Sequence, residues 1–452
     1  MKYFLFTFLF FSVCDFLEAN ERPNILVIMA DDLGYGDLSA QGAQDVFTPN
    51  IDQLAKQGLT LSQFYANSTV CSPSRASFIT GKYPDKAGVP GVVRQHPSIN
   101  WGYLDPKSQT VADQLKKNGY QTALIGKWHL GLSSPNLPNE RGFDHFHGFL
   151  GDMMDDYWTH LRDGVNWMRL NGKEITAKGH ATDIFTDWAV DYITESTKSA
   201  QPFFLFLSYN APHFPIQPPE KYLNRVQKRE ANLSDKRAKN VAFIEHLDDG
   251  VGRVLQQITS LGLDKNTLII FTSDNGGALR YSQSNGKLRG GKGDMYEGGI
   301  RVPTFVRWQG KIKENQRTDN VGMLMDLFPT FIDIIQGQIP SNIDGVSLLS
   351  TLLTPEEKTS ERTLFWVRKE GWDHNGLSYY AARSGDYKLV QSTPYQPFEY
   401  YNLFADPYEK TPLAEKSVKA FSQLREKLTQ HIRAAGHVPW QREPIENTLK
   451  QN

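Results

Sequence analysis

Four short apolar runs constrain this chain more than any other feature. They are Asn24–Ala30 (NILVIMA), residues 122–126 (TALIG), residues 203–209 (FFLFLSY) and Thr267–Ser273 (TLIIFTS). Each is continuous and rich in β-branched or aromatic residues, as strands buried on both faces are. Helix-like stretches separate them, at residues 50–57, 110–118 and 241–261. Such alternation predicts an α/β fold, a large and mostly parallel mixed sheet sandwiched by helices.

Every run stops at polar, ionisable residues. Asp31-Asp32 follows the first, Lys127-Trp128-His129 the second, Asn210-Ala211-Pro212-His213 the third and Asp274-Asn275 the fourth. A single pair of this kind is usually a turn or a helix cap. Four together point to a ligand, because ligands of parallel sheets collect beyond the carboxyl ends of the strands. Asp31, Asp32, Asp274 and Asn275 offer hard oxygens, which suit calcium or magnesium better than zinc or copper. Lys127, His129 and His213 are cationic or proton-donating, and residues i and i+2 of an extended segment share a face. A metal beside several cations suggests an anionic substrate clamped between them.

Composition narrows the class. Of 452 residues, 39% are hydrophobic and 22% charged, which fits a soluble globular protein. Lys+Arg is 49 against Asp+Glu 50, so no basic field exists to hold nucleic acid. The start reads Met1-Lys2, an apolar run over residues 3–13, then Leu17-Glu18-Ala19. That is the pattern of a secretory signal peptide over residues 1–19. The run is too short for a transmembrane helix, which needs about 20 apolar residues. The expectation is export, to the periplasm or beyond, without stable membrane insertion. Cleavage removes Cys14 and leaves Cys71 alone, so no internal disulfide can close. Cys71 is then a buried spectator, an intermolecular linker or a reactive group.

Its surroundings favour reactivity. Residues 71–81 read CSPSRASFITG. Ser72 is a good N-cap, Pro73 a good first helical residue and Gly81 a good stop, which places Cys71 just before a helix. The free N–H groups there favour an anion, and Arg75 adds a planar cation suited to a tetrahedral oxyanion. A thiol so placed is expected to have a lowered pKa. Spacing alone does not separate a thiolate nucleophile from a modified one.

Cys71-Ser72-Pro73-Ser74-Arg75, with Thr80-Gly81 behind it, resembles the signature of the type I, formylglycine-dependent sulfatases of the alkaline phosphatase-like superfamily. Further blocks of that family recur in order: residues 24–36 (NILVIMADDLGYG), 126–131 (GKWHLG), 211–213 (APH), 273–276 (SDNG) and 288–303 (LRGGKGDMYEGGIRVP). The resemblance implies one Ca2+ held by Asp31, Asp32, Asp274, Asn275 and the modified Cys71. It implies that a formylglycine-generating enzyme oxidises Cys71 to Cα-formylglycine, whose hydrate attacks sulfur and then expels sulfate as the aldehyde re-forms. Arg75 and Lys127 would stabilise the diol and the oxyanion, and His129 would take the proton that triggers release. His213 and Lys292 would face the sulfate and the leaving oxygen, with His213 the better acid because histidine titrates near neutrality. Lys287 is the rival of Lys292, which is preferred because it matches the family block.

The family blocks fade after residue 345. The expected layout is a signal peptide at 1–19, a catalytic domain at 20–345 and a smaller C-terminal subdomain at 346–452. In the last, runs at 364–367, 379–383, 387–392 and 400–404 read as a four-stranded antiparallel sheet. Val418, Phe421, Leu424, Leu428 and Ile432 give residues 417–435 helical spacing. Substrate identity lives in loops. Tyr157, Trp158, His160, Trp372 and His374 are candidate sugar contacts, since aromatics with polar neighbours suit stacking on sugar rings. Asp152, Asp155 and Asp156 read as a solvated loop and not a second metal site. A sulfated polysaccharide or oligosaccharide, of the carrageenan or glycosaminoglycan type, is the expected substrate. The competing readings are a phosphonate or phosphodiester hydrolase of the same superfamily and an inactive carbohydrate-binding relative.

Overall fold

Each of the four apolar runs is a strand of one sheet. In a computed structural model, which describes residues 22–96, 99–370, 376–414 and 419–438, they are β1 (Asn24–Ala30), β2 (Gln121–Lys127), β4 (Phe203–Ser208) and β5 (Thr267–Ser273), with β3 (His145–Phe149) beside β2. The expected signal peptide, Trp372 and His374 lie outside the described residues. The order β5-β1-β4-β2-β3 forms the all-parallel centre of a ten-stranded sheet. Antiparallel strands extend it: Phe305–Arg307 on β5 and Met168–Leu170 on β3.

Alternation in β1 builds two cores. Ile25, Val27 and Met29 point to one face, where they meet Ala76, Phe78 and Ile79 of α1 (Cys71–Thr80). Leu26, Ile28 and Ala30 point to the other, against Val241, Ile244 and Val251 of α2 (Asp235–Ser260). All six β1 side chains are fully buried. Burying each of the five larger ones contributes on the order of 1.5–3 kcal/mol, and Ala30 less.

Register decides where the chemistry lands. Ala30 lies opposite Ser273, Met29 opposite Ser208, and Ser208 opposite Gly126. The strands therefore finish level, and the residues just past each end converge. Gly126 makes this closeness tolerable. Its φ is +101°, and a Cβ there would sit 2.0 Å from the Ser208 carbonyl oxygen.

The C-terminal runs form a separate four-stranded antiparallel sheet, β6 (Thr363–Lys369), β7 (Ser378–Ser384), β8 (Tyr387–Gln391) and β9 (Glu399–Asn402). One face packs Ala382, Leu389 and Tyr400 on Phe421, Leu424 and Leu428 of α3 (Lys419–Ala435). The other packs Leu364, Trp366, Ala381 and Val390 against Tyr65, Met295, Ile300 and Met323 of the larger sheet's domain. Buried Lys388 ties the two parts together through Glu297 at 2.9 Å and Glu409 at 2.8 Å.

Candidate active site

Asp31, Asp32, Asp274 and Asn275 are fully buried where β1 and β5 end. Backbone bonds continue the sheet past its last residues, from Asp31 N to Ala211 O at 3.1 Å and from Asp274 N to Ala30 O at 3.2 Å. Asn275 Nδ2 donates to Asp32 Oδ1 at 2.8 Å, and the Asn275 Oδ1 is buried without a partner.

Cys71 enters from the other face of the sheet. It is the first residue of α1, preceded by extended Val70, and not the residue before the helix. Ser72 does not cap; its hydroxyl accepts from Val93 N at 3.0 Å and so ties down the loop beyond the helix. Gly81 ends the helix in the left-handed conformation, as expected. The Cys71 thiol donates to Asp31 Oδ1 at 3.2 Å and receives Lys292 Nζ at 3.5 Å. Its pKa is raised, not lowered. Burial dominates, the Asp31 charge adds to it, and Lys127 and Lys292 only partly compensate. An unmodified thiol here is therefore a poor nucleophile at neutral pH.

The cations surround this acidic cluster. Lys127 Nζ lies 2.5 Å from Asp31 Oδ2 and Lys292 Nζ 2.7 Å from Asp32 Oδ1. Arg75 Nε and Nη2 both donate to Asp274 Oδ2, at 3.0 and 2.8 Å, and Nη1 to Ser208 Oγ. His213 Nε2 lies 3.6 Å from Asp32 Oδ2, while its Nδ1 donates to Phe214 O at 2.7 Å. His129 Nε2 donates to Val93 O at 2.9 Å, which leaves the lone pair on Nδ1, buried and without a partner. All ten residues expected at the metal and at the reacting centre thus meet in one place.

Burial and charge set their protonation. Burial alone would raise Asp31, but Lys127, His213, Arg75 and Lys292 outweigh it and hold the carboxyl below the usual range. Asp274 is pushed up to about 7 by burial and by the neighbouring Asp31. Burial and then the Lys292 charge press His213 down to about 4, below the near-neutral titration expected of it. His129 is lowered by burial and by Lys127 and Arg75, so its imidazole is neutral at pH 7. Lys292 stays charged because Asp32 overcomes its desolvation.

The donor set fits a hard divalent cation. It holds three carboxylates, an amide oxygen with nothing to bind and the side chain of residue 71. One ligand atom each from Asp31, Asp32, Cys71 and His213 lies within 4.8 Å of the others. Oxygen-rich sets of this kind suit calcium.

Cys71, His129, His213 and Lys292 line the floor of an open cavity of about 660 Å3. Its walls carry charged residues that no sequence motif marks. Arg162 pairs with Asp152 at 3.0 Å, Arg94 with Glu370 at 3.3 Å and with Asp152 at 3.8 Å, and Arg368 with Glu370 at 3.2 Å. This chain of alternating charge joins three distant segments, and Arg368 and Glu370 come from β6 and its end. Asp152 is therefore a cavity residue and not a solvated loop acid. Two expected sugar contacts are turned away. Tyr157 is buried, its single hydroxyl proton shared between Asn210 O at 2.8 Å and His213 O at 2.9 Å. His160 is also buried, with Nε2 on Gly179 O at 2.9 Å. Trp158 is half exposed, edge-on to His180 at 5.1 Å, and is not part of the cavity wall.

The family model described as Sulfatase matches residues 23–337. The chain belongs to the sulfatase family. A second model, described as N-sulphoglucosamine sulphohydrolase, C-terminal, matches residues 291–436 of this sulfatase. N-acetylgalactosamine-6-sulfatase of Mus musculus is 31% identical over 395 residues, covering 82% of this chain and 72% of that one. Steryl-sulfatase of Mus musculus is 30% identical, with 88% and 80% covered. Among solved structures, Ps i-CgsB in complex with k-i-k-neocarrahexaose has TM-score 0.85 and 29% identity, over 94% of this chain and 95% of that one. As a member of the family this sulfatase is a sulfuric ester hydrolase.

Proposed function

We propose that this sulfatase removes sulfate esters from a sulfated polysaccharide or its oligosaccharides, of the galactan or glycosaminoglycan type, through Cα-formylglycine at position 71 and one Ca2+. The observation that carries the reading is the position of Cys71 Sγ. It sits between Asp31 Oδ1 at 3.2 Å and Lys292 Nζ at 3.5 Å, at the floor of a cavity wide enough for sugar rings. Relatives named for N-acetylgalactosamine-6-sulfate and a solved neighbour bound to a carrageenan hexaose support the substrate class.

Asp31, Asp32, Asp274, Asn275 and residue 71 would hold the calcium, which supplies positive charge to polarise the sulfate. The aldehyde, installed by a formylglycine-generating enzyme, supplies once hydrated the oxygen nucleophile that a raised-pKa thiol does not. The rest falls to the chain's own side chains. Arg75, locked on Asp274, cannot swing, so its charge stays fixed beneath residue 71. Lys127 and Lys292 bring two further cations to the same point, where developing oxyanion charge is stabilised. His129 presents an unpartnered Nδ1 lone pair, positioned to take a proton from residue 71. His213 directs Nε2 inward and is the group for the leaving oxygen, an incoming sulfate acting against the cations that hold its pKa down.

Residues 1–19 support export, and no helix among the described residues is long and apolar enough to cross a membrane. Desulfation assays on a panel of sulfated sugars, aryl sulfates, a steroid sulfate and a phosphodiester test the reading. Sulfate release from one sugar class is expected. Release only from aryl or steroid sulfates, or faster phosphodiester cleavage, overturns it.

A further inference from the structure

Five cationic side chains line the cavity: Arg94, Arg162, Arg280, Lys292 and Arg368. Four of them are held by carboxylates. Arg162 is on Asp152 at 3.0 Å, Arg94 and Arg368 are on Glu370 at 3.3 and 3.2 Å, and Lys292 is on Asp32 at 2.7 Å. Arg280 differs. Among the described residues no carboxylate lies within ion-pair distance of it.

Arg280 is nevertheless firmly placed. Its guanidinium stacks over Tyr281 at 4.8 Å and over Phe214 at 5.3 Å. Phe214 in turn stacks on Tyr281 at 4.4 Å on one side and on His213 at 4.4 Å on the other. The ring stack therefore runs from buried His213 to exposed Arg280 at the cavity rim. The loop carrying Arg280 is pinned at several points. Gly277 N donates to Asn285 Oδ1 at 2.9 Å, Arg237 Nη1 to Ser282 O at 3.0 Å, and Gln283 Nε2 to Pro212 O at 3.0 Å. The last bond ties the loop to the residue beside His213. A stacked guanidinium uses its faces and leaves its N–H edge free for a planar or tetrahedral anion.

We propose that Arg280 is a second anion-binding point of the substrate site. It takes a sulfate or carboxylate group on the sugar that lies on the leaving-group side of the scissile ester. Two stacking steps separate it from His213, a reach on the scale of neighbouring sugar units. This inference rests on the proposed sugar sulfatase function, with His213 facing the leaving oxygen. It narrows the substrate to oligosaccharides that carry anionic groups on adjacent units.

The test uses the mature enzyme and three disaccharides: one with a single scissile sulfate, one with a second sulfate on the neighbouring unit and one with a uronate there. The readout is the ratio of kcat/KM on each doubly charged substrate to that on the singly charged one. Being a ratio within one protein sample, it is insensitive to partial misfolding. Wild type is expected to prefer a doubly charged substrate about tenfold, as a charge-assisted hydrogen-bond pair provides. The preference should shrink as sodium chloride is raised. Arg280→Gln should abolish it, and Arg280→Lys should retain part. Which arm shows the preference tells sulfate from carboxylate. Desulfation of the sugars with equal ratios, or a preference that survives in Arg280→Gln, overturns the inference and leaves the function intact. If wild type desulfates none of the three sugars but turns over an aryl sulfate, the function reading fails, and the inference with it.

Discussion

Arg75 holds Asp274 through a single carboxylate oxygen, with Nε at 3.0 Å and Nη2 at 2.8 Å and both side chains sealed from solvent. Two donors on one acceptor need the rigid fork of a guanidinium. Arg75→Lys is therefore expected to lower turnover at least a hundredfold. Arg75→Ala should also destabilise the fold by about 3–5 kcal/mol, because Asp274 is left buried without its partner. Chemical denaturation and sulfate release on the same samples check both. Near-wild-type turnover in Arg75→Lys would count against a fixed cation beneath residue 71.

Metal removal should act on stability as well as on rate. Three carboxylates crowd at the ends of β1 and β5, and the Asn275 Oδ1 has no internal partner. Chelation is expected to lower Tm, and Ca2+ at a hundred times its Kd should restore about 2.7 kcal/mol. Asn275→Ala should blunt that calcium-dependent shift. A Tm indifferent to both chelator and calcium would refute a calcium cradle at this cluster.

Position 71 carries the sharpest prediction. Burial and Asp31 raise the thiol pKa, so the unmodified side chain should be nearly inert. The peptide bearing residue 71 from active enzyme should weigh about 18 Da less than its cysteine form, through loss of sulfur and two hydrogens and gain of one oxygen. Cys71→Ala should lose at least a thousandfold in turnover while keeping its fold. Mass spectrometry showing a fully active, unmodified cysteine would end the aldehyde mechanism.

Tyr157 is expected to matter as a strut. Its hydroxyl serves Asn210 O and His213 O, the two ends of the turn that presents the histidine. His213 N also donates to Asn210 O at 2.9 Å, so Tyr157→Phe leaves chiefly the buried His213 O short of a donor and should cost about 1–3 kcal/mol. The same variant should affect kcat more than KM, since it loosens His213 without touching sugar. A KM effect alone would instead place the ring against substrate.

Asp248 gives a pH signature remote from the active site. It accepts from Ile51 N at 2.8 Å and Asn50 Nδ2 at 2.8 Å, and burial pushes its pKa up to about 7 from 3.8. Between those values the folded chain holds a proton that the unfolded chain has released. This group thus favours folding at low pH, and its contribution falls as pH rises toward 7. The slope is at most about 1.4 kcal/mol per pH unit. Wild type should lose stability relative to Asp248→Asn steadily over pH 4 to 7, and the difference should level off above. A gap independent of pH would refute the raised pKa.

Much of this was legible in the chain. Residues 24–30 and 267–273 are continuous apolar runs because both faces of β1 and β5 are covered, and their strand limits follow directly from the sequence. The convergence of Asp31, Asp274, Lys127 and His213 followed from the rule that parallel strands deliver ligands at their carboxyl ends. Ser72 was misread because a serine before a proline has the local look of a cap, whereas a distant amide, Val93 N, claims its hydroxyl. Tyr157 and His160 were misread because aromatic composition does not show which way a ring faces. Arg94, Asp152, Arg162, Arg368 and Glu370 had no local signal: Arg368–Glu370 and Arg162–Asp152 are pairs of near neighbours, and only tertiary packing joins them through Arg94 over one cavity.

The small sheet has a consequence for how specificity can change. Its inner face is cemented to the larger domain through Trp366 and Lys388, and its first strand hands Arg368 and Glu370 to the cavity. The acidic and cationic cluster is thus drawn from one module, while the cavity wall above it is assembled from two. Exchanging the C-terminal module between relatives offers a way to retarget the enzyme without disturbing a single catalytic strand.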